Sequence, residues 1–394
     1  MTSPLTAVGG SWKKTGDLPL AASWYGQYDG PVLLGGKKVF VAGGADATGA
    51  ALDKTALYDP VAGTWTAGRA MGVPRRHHTV TRLGNGKILV VGGTSAPGRV
   101  APALASVQLY DPDHDTWTTA ASLREARWGH SAVLLADQTV LVAGGVATRS
   151  GDSLKALRTA EIYHPDTDTW SDAAEMNDAR SGHGAVLFKG GRVLVCGGTA
   201  PVSGPADAAL AFCELYTPAT AQARDTWTPT GSMAAPRSGH QTVPASDTTA
   251  LVVGGALPGV PGDGTFDPHH ALTLERFDLA RGQWTDFPPL PGRGREAHRL
   301  VPLGSGSFLL IGGTGEVSDG VGYQNTLLID AATGAASPVA APAAGRWALG
   351  AVALAEDEVL VTGGTVRSGL AASKPGEDDL TATTEVFGPV GSPA

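Results

Sequence analysis

An all-β fold, a seven-bladed β-propeller whose N-terminal strand completes its last blade, is what the sequence predicts. Three observations carry it. Gly-Gly doublets close an apolar strand seven times, at 43–44, 92–93, 144–145, 197–198, 254–255, 312–313 and 363–364. Their spacings are 49, 52, 53, 57, 58 and 51 residues, one repeat after another. The last repeat lacks its final strand, and a matching segment stands at the other end of the chain, at Ser11-Trp12-Lys13.

Each unit reads as four strands, a to d. Strand a follows an R-x-x-H segment. The histidine stands fourteen residues before the doublet in five units (His78, His130, His183, His240 and His298), with Arg75, Arg127, Arg180, Arg237 and Arg295 three residues earlier. Strand b is the apolar run ending in Gly-Gly, where glycine permits a close backbone approach that a Cβ would block. Strand c alternates as E-x-Y and ends in turns such as Tyr110-Asp111-Pro112. Strand d carries a tryptophan (Trp65, Trp117, Trp170, Trp227 and Trp284) expected to pack between neighbouring sheets. One such sheet cannot bury both faces, and stacking around an axis buries them. The units run approximately over 22–70, 71–122, 123–175, 176–233, 234–290, 291–341 and 342–390, with 8–18 completing the last, in one domain over 1–394. Unit six is degenerate, with Leu328-Ile329-Asp330 for the tyrosine turn and no following tryptophan.

Composition agrees and sets limits. The 55 glycines and 27 prolines suit many short strands joined by turns. Net charge is −8, so nucleic acid is not the expected partner. The N-terminus carries no apolar signal-peptide core and no run of 18 apolar residues occurs, so a cytoplasmic protein that does not enter the membrane is expected. The excess of arginine over lysine suggests GC-rich coding and says little about function; a bacterial protein is expected. The two cysteines, Cys196 and Cys213, are too few for a disulfide framework and read as buried free thiols.

The segments SGHGAVLFKGGRVLVCGG and TAEIYHPDTDTW resemble the kelch repeat, in the subgroup with the galactose-oxidase propeller pattern. The resemblance covers nearly the whole chain and is specific for fold, less so for function. It implies ligand binding at the mouth formed by the segments entering strand a and the loops after Gly-Gly. It does not extend to a copper oxidase. Both cysteines lie in unit four, and no tyrosine-histidine copper segment can be matched, so no cofactor and no metal are expected. No P-loop, dinucleotide fingerprint, G-x-S-x-G or H-E-x-x-H occurs either.

Seven copies of one residue cannot be seven active sites, so function is expected where the copies differ. Six tryptophans belong to the strand-d column, counting Trp12; the others, Trp24, Trp128 and Trp347, fall at or just before strand a. Aligned on the apolar strand, the position after the arginine column reads Gln27, Arg76, Trp128, Ser181, Ser238, Glu296 and Trp347. Such variety within a regular repeat looks like a ligand-facing ring, or like exposed positions free to drift. Unit one deviates most, with Trp24, Tyr25 and Tyr28 near Asp29, which takes the histidine column. Its neighbour by closure, unit seven, offers Arg346 and Trp347. The expected ligand site is therefore Trp24, Tyr25, Gln27, Tyr28, Arg76, Trp128, Arg346 and Trp347, taking a small molecule or peptide without catalysis. In the alternative, a cyclase, isomerase or epimerase uses Asp29, Glu296 and His77 as acid–base groups at the same mouth. The long loops 256–271, with His269-His270, and 365–381, with Glu377-Asp378-Asp379, could add binding residues. The histidine pair alone is weak support for a metal.

Overall fold

A computed structural model describes residues 10–24, 30–97, 101–149, 153–201, 207–257, 271–304, 306–315, 317 and 320–389. It forms seven four-stranded antiparallel sheets. Blade one comprises Val32–Leu33, Val39–Ala42, Thr55–Asp59 and Thr64–Ala67. Blades two to six repeat the meander; in blade three it runs Ser131–Leu134, Val140–Ala143, Ala160–His164 and Thr169–Asp172. Blade seven takes Gly350–Ala355, Glu358–Thr362 and Thr384–Pro389 from the C-terminal end and Gly10–Lys14 as strand d. Trp12 pairs with Phe387 in that sheet, and their rings lie 5.3 Å apart. The a strands of successive blades touch one another all the way round, so they are innermost and the ring is closed.

Two devices join the blades. The first is the strand-d tryptophan. Its indole N–H donates to the preceding blade: Trp170 to Ala121 O (2.7 Å), Trp227 to Ala174 O (2.8 Å) and Trp65 to Thr384 Oγ1 (2.9 Å). The ring therefore buries apolar area and leaves no orphaned donor. Degenerate blade six still forms strand d, Ala336–Val339, without a tryptophan. The second device is the doublet. Gly145 N donates to Arg180 O of the next blade (2.8 Å). A Cβ on Gly144 would stand 2.5 Å from that same oxygen, and Gly144 has φ +65. Only glycine fits both the dihedral and the approach.

The arginine column is structural. Arg127 is fully buried; its Nη1 donates to Gly144 O (2.8 Å) and Thr159 O (3.0 Å), and its Nη2 to Glu161 Oε1 (2.9 Å). Arg346 repeats this, with Nη1 on Thr383 O (2.8 Å) and Nη2 on Glu385 Oε2 (2.8 Å). Arg346 is thus removed from the expected ligand site: the guanidinium is spent inside its own blade on backbone carbonyls and a buried carboxylate. Burial, reinforced by arginine charge, holds His78, His130, His183 and His298 well below the ordinary histidine range. His130 Nε2 meets Thr79 Oγ1 (3.0 Å) and His183 Nε2 meets Ser131 Oγ (2.9 Å), each linking to the preceding blade. Cys196 and Cys213 are buried, free and paired across strands b and c of blade four.

The loops after the doublets are not all irregular, as a reading of them as loops would have it. Three of them form two-stranded ribbons: Val146–Arg149 with Ser153–Ala156, Thr199–Pro201 with Asp207–Ala209, and Thr365–Arg367 with Asp379–Leu380. Among the described residues no helix is long and apolar enough to cross a membrane.

Candidate functional site

The mouth is built by three consecutive positions. The first is the buried arginine column. The second forms a β-bridge to the residue after the doublet: Arg76 to Thr94, Trp128 to Val146, Ser181 to Thr199, Ser238 to Ala256, Glu296 to Thr314 and Trp347 to Thr365. In blade one the bridging residue is Ser23, paired to Ala45. Gly364 N donates to Ala22 O as Gly93 N does to Arg127 O, which puts Ala22 in the arginine column. The alignment that put Gln27 in the ring is therefore displaced. Blade one carries four extra residues between this segment and its doublet, counted against the 17 that separate Arg75 from Gly92. Gln27, Tyr25, Tyr28 and Asp29 lie outside the described residues, as do His269 and His270.

The third position was not anticipated. It has left-handed backbone in every blade: Trp24 (φ 53), His77 (φ 52), Gly129 (φ 64), Gly182 (φ 60), Gly239 (φ 62), Ala297 (φ 51) and Ala348 (φ 49). Backbone bonds link these residues from blade to blade, with Trp24 N on Ala348 O, Ala348 N on Ala297 O, Gly182 N on Gly129 O and Gly129 N on His77 O. They therefore form a collar around the channel. Blades three to five use glycine, which adopts this conformation without strain. Blades one and two use bulky rings there, at a cost of roughly 1–2 kcal/mol each. The signal was present in the sequence as the x-G-H of three repeats, which blade two replaces with Arg76-His77-His78.

These rings continue into those of the second position. Trp347 meets Trp24 edge-on (5.7 Å, 74°), Trp24 meets His77 (5.0 Å), and His77 meets Trp128 (5.7 Å). One aromatic arc thus crosses blades seven, one, two and three, bringing together the three tryptophans that the repeat does not explain. Trp347 is almost fully buried, so its truncation would also disturb packing; Trp24 and Trp128 are half-buried. All six strand-d indoles are hydrogen-bonded. By contrast, the buried Nε1 atoms of Trp128 and Trp347, and Nδ1 of His77, have no partner among the described residues. These atoms are therefore available as hydrogen-bonding groups at the mouth, the indole Nε1–H groups as donors.

Arg76 stands beside the arc. It is half-buried, its Nε has no partner among the described residues, and burial pulls its pKa down. Its Nη1 reaches the loop of blade one, 3.6 Å from where a Cβ on Gly49 would stand. Burial and the Arg76 charge push the His77 pKa down to about 3, so at neutral pH the imidazole is uncharged. The neutral ring offers one N–H donor, one acceptor nitrogen and an aromatic face. Glu296 sits on the other flank, its Oε2 3.2 Å from where a Cβ on Gly239 would stand. Glu296 belongs to blade six and His77 to blade two, with blades seven and one between them around the ring. Ser181 and Ser238 complete a polar side. Further along the channel, the a strands of blades three to seven line a cavity of about 440 Å³.

Fold and mouth define a seven-bladed propeller, and the comparisons with known proteins place its repeats beside those of kelch proteins. The Kelch motif matches residues 74–124 and 127–177, which span blades two and three. The chain is 33% identical to human Kelch-like protein 34 over 183 residues, 44% of this chain and 28% of that protein. It is 29% identical to Kelch-like protein 25 of Xenopus tropicalis over 263 residues, 65% of this chain and 40% of that one. It therefore spans well under half the length of these relatives. Among solved structures, a fungal alcohol oxidase of the AA5 family in complex with copper superposes with a TM-score of 0.69 at 19% identity, over 97% of this chain and 76% of that one. The protein YjhT does so with a TM-score of 0.61 at 16% identity, over 82% and 99%. At such identities the likeness is one of fold. The chain is an all-β, seven-bladed propeller that carries the Kelch motif over blades two and three and is similar to kelch-repeat proteins.

Proposed function

We propose that this propeller is a binding module that holds a small molecule or peptide at the channel mouth without transforming it. The observation that carries this reading is the aromatic arc of Trp347, Trp24, His77 and Trp128, two of whose rings occupy left-handed positions where three other blades have glycine. Ala297 and Ala348 of blades six and seven carry the same left-handed backbone, so what sets blades one and two apart is the bulky ring placed on it, and such a ring supports a use at that place. The chemistry offered is a set of aromatic faces, two buried indole donors and the Arg76 guanidinium. A planar or apolar group carrying an acceptor or a negative charge matches it.

The test is a screen of defined metabolite and short-peptide libraries by tryptophan fluorescence, with mass spectrometry of each hit after incubation. Hits should be recovered unchanged, and their affinity should fall at least tenfold in Arg76→Ala and His77→Gly. Hits that bind these variants as well as the parent would remove the site. A hit that is converted, with conversion lost in Glu296→Gln, would replace this reading with the isomerase one.

A further inference from the structure

The seven-fold repeat exposes a second site, away from the mouth. In five blades a buried arginine before strand a meets a glutamate or glutamine on strand c: Arg75 with Gln108, Arg127 with Glu161, Arg180 with Glu214, Arg237 with Glu275 and Arg346 with Glu385. Blade six keeps Arg295 and places Leu327 opposite it. Blade one alone has neither member. Ala22 stands in the arginine column and Ala56 in the carboxylate column, buried at 3% and 5% exposure. Two large side chains have been replaced by two methyl groups, and the surroundings have not closed over the gap.

What remains is a cavity of about 280 Å³ lined by Leu18, Ala22, Val41, Leu52 and Ala56, with Lys54 at its edge. It lies where the segment that closes the ring passes blade one, since Leu18 N donates to Ala382 O of blade seven. Leu20, a large apolar side chain exposed at 45%, stands at its lip. A dry apolar cavity of about 150 Å³ already accepts benzene. This one is roughly twice that size and open to solvent through a lip that carries one cation. Among the described residues Lys54 Nζ makes one ion pair, an exposed contact with Asp53 (3.3 Å), which contributes little.

We propose that this cavity is a binding site for a small monocarboxylate with an apolar body, the hydrocarbon replacing the missing arginine–glutamate pair and the carboxylate facing Lys54. The site is independent of the mouth and does not rest on the function proposed for it.

The experiment is calorimetric titration of the full chain with octanoate and with octanol. Both should bind, octanoate more tightly. Lys54→Ala should remove the preference for octanoate and leave octanol unchanged. Ala22→Arg/Ala56→Glu, which restores the pair of the other blades, should abolish both heats while His77→Gly keeps them. If the double variant fails to fold, Ala56→Phe fills the same space and is read in the same way. Absence of heat from both probes with the parent protein, or equal binding by the filled variant, would overturn the proposal.

Discussion

Replacing His77 by glycine separates packing from use at the mouth. The residue has φ 52, so glycine relieves roughly 1–2 kcal/mol of backbone strain. Glycine also gains freedom in the unfolded chain, which returns about 0.5–1 kcal/mol. The imidazole lies 5.0 Å from Trp24 and 5.7 Å from Trp128. Losing these contacts removes about 0.5–1.5 kcal/mol each. The balance is a net loss of roughly 1 kcal/mol, far below the ~3–5 kcal/mol for truncating a packed core aromatic. Urea unfolding at pH 7 measures it, and titration with a mouth ligand measures the second half of the claim, a large fall in affinity. Gly182→Ala is the mirror control: it places a Cβ at φ 60 in a blade without a ring and should cost ~1–2 kcal/mol with binding unchanged. A loss above ~3 kcal/mol in His77→Gly would show that the imidazole is a packing element and would refute the assignment of the strain to binding.

Three further outcomes are expected. Glu161→Ala should destabilise by about 3–5 kcal/mol in chemical denaturation, because it leaves the Arg127 charge buried and also strips an acceptor from Arg124 N (2.8 Å); a cost under ~1 kcal/mol would contradict the structural role of the column. Stability should fall on acidification: His130, His183 and His298 are neutral in the fold but protonate in the unfolded chain below pH ~6.5, so stability is fully present above that pH and each group removes up to about 1.4 kcal/mol per unit as pH drops towards its depressed folded value, which denaturation midpoints at pH 7, 6 and 5 would record. Removing residues 1–20 should strip Trp12 and its strand from Thr384–Pro389, expose that edge and cause aggregation visible by light scattering; a soluble, cooperatively unfolding truncation would contradict closure by the N-terminal strand.

The number of blades, their four-strand order and the exchange of strand d between the termini were legible in the sequence. They depend on local chemistry repeated at a fixed interval: a doublet that only glycine can form, a strand alternation and a tryptophan at the outer strand. The aromatic residues of the mouth were legible for the same reason, as departures from a column. Register at the start of blade one was not. Four inserted residues sit between the bridge at Ser23 and strand a, and an alignment anchored on the apolar strand carries Gln27 into a position that Ser23 holds. Nor did the sequence separate Arg346 from the ligand site, because a guanidinium that donates inward to Thr383 and Glu385 has the same letter as one that faces a ligand. Contacts between blades, such as Trp24 on His77 and Trp347, join residues up to 323 positions apart, and only closure of the ring brings them together. The gap left by Ala22 and Ala56 likewise belongs to the tertiary structure: two alanines 34 residues apart become a cavity only when strand c of blade one is laid beside the segment that closes the propeller.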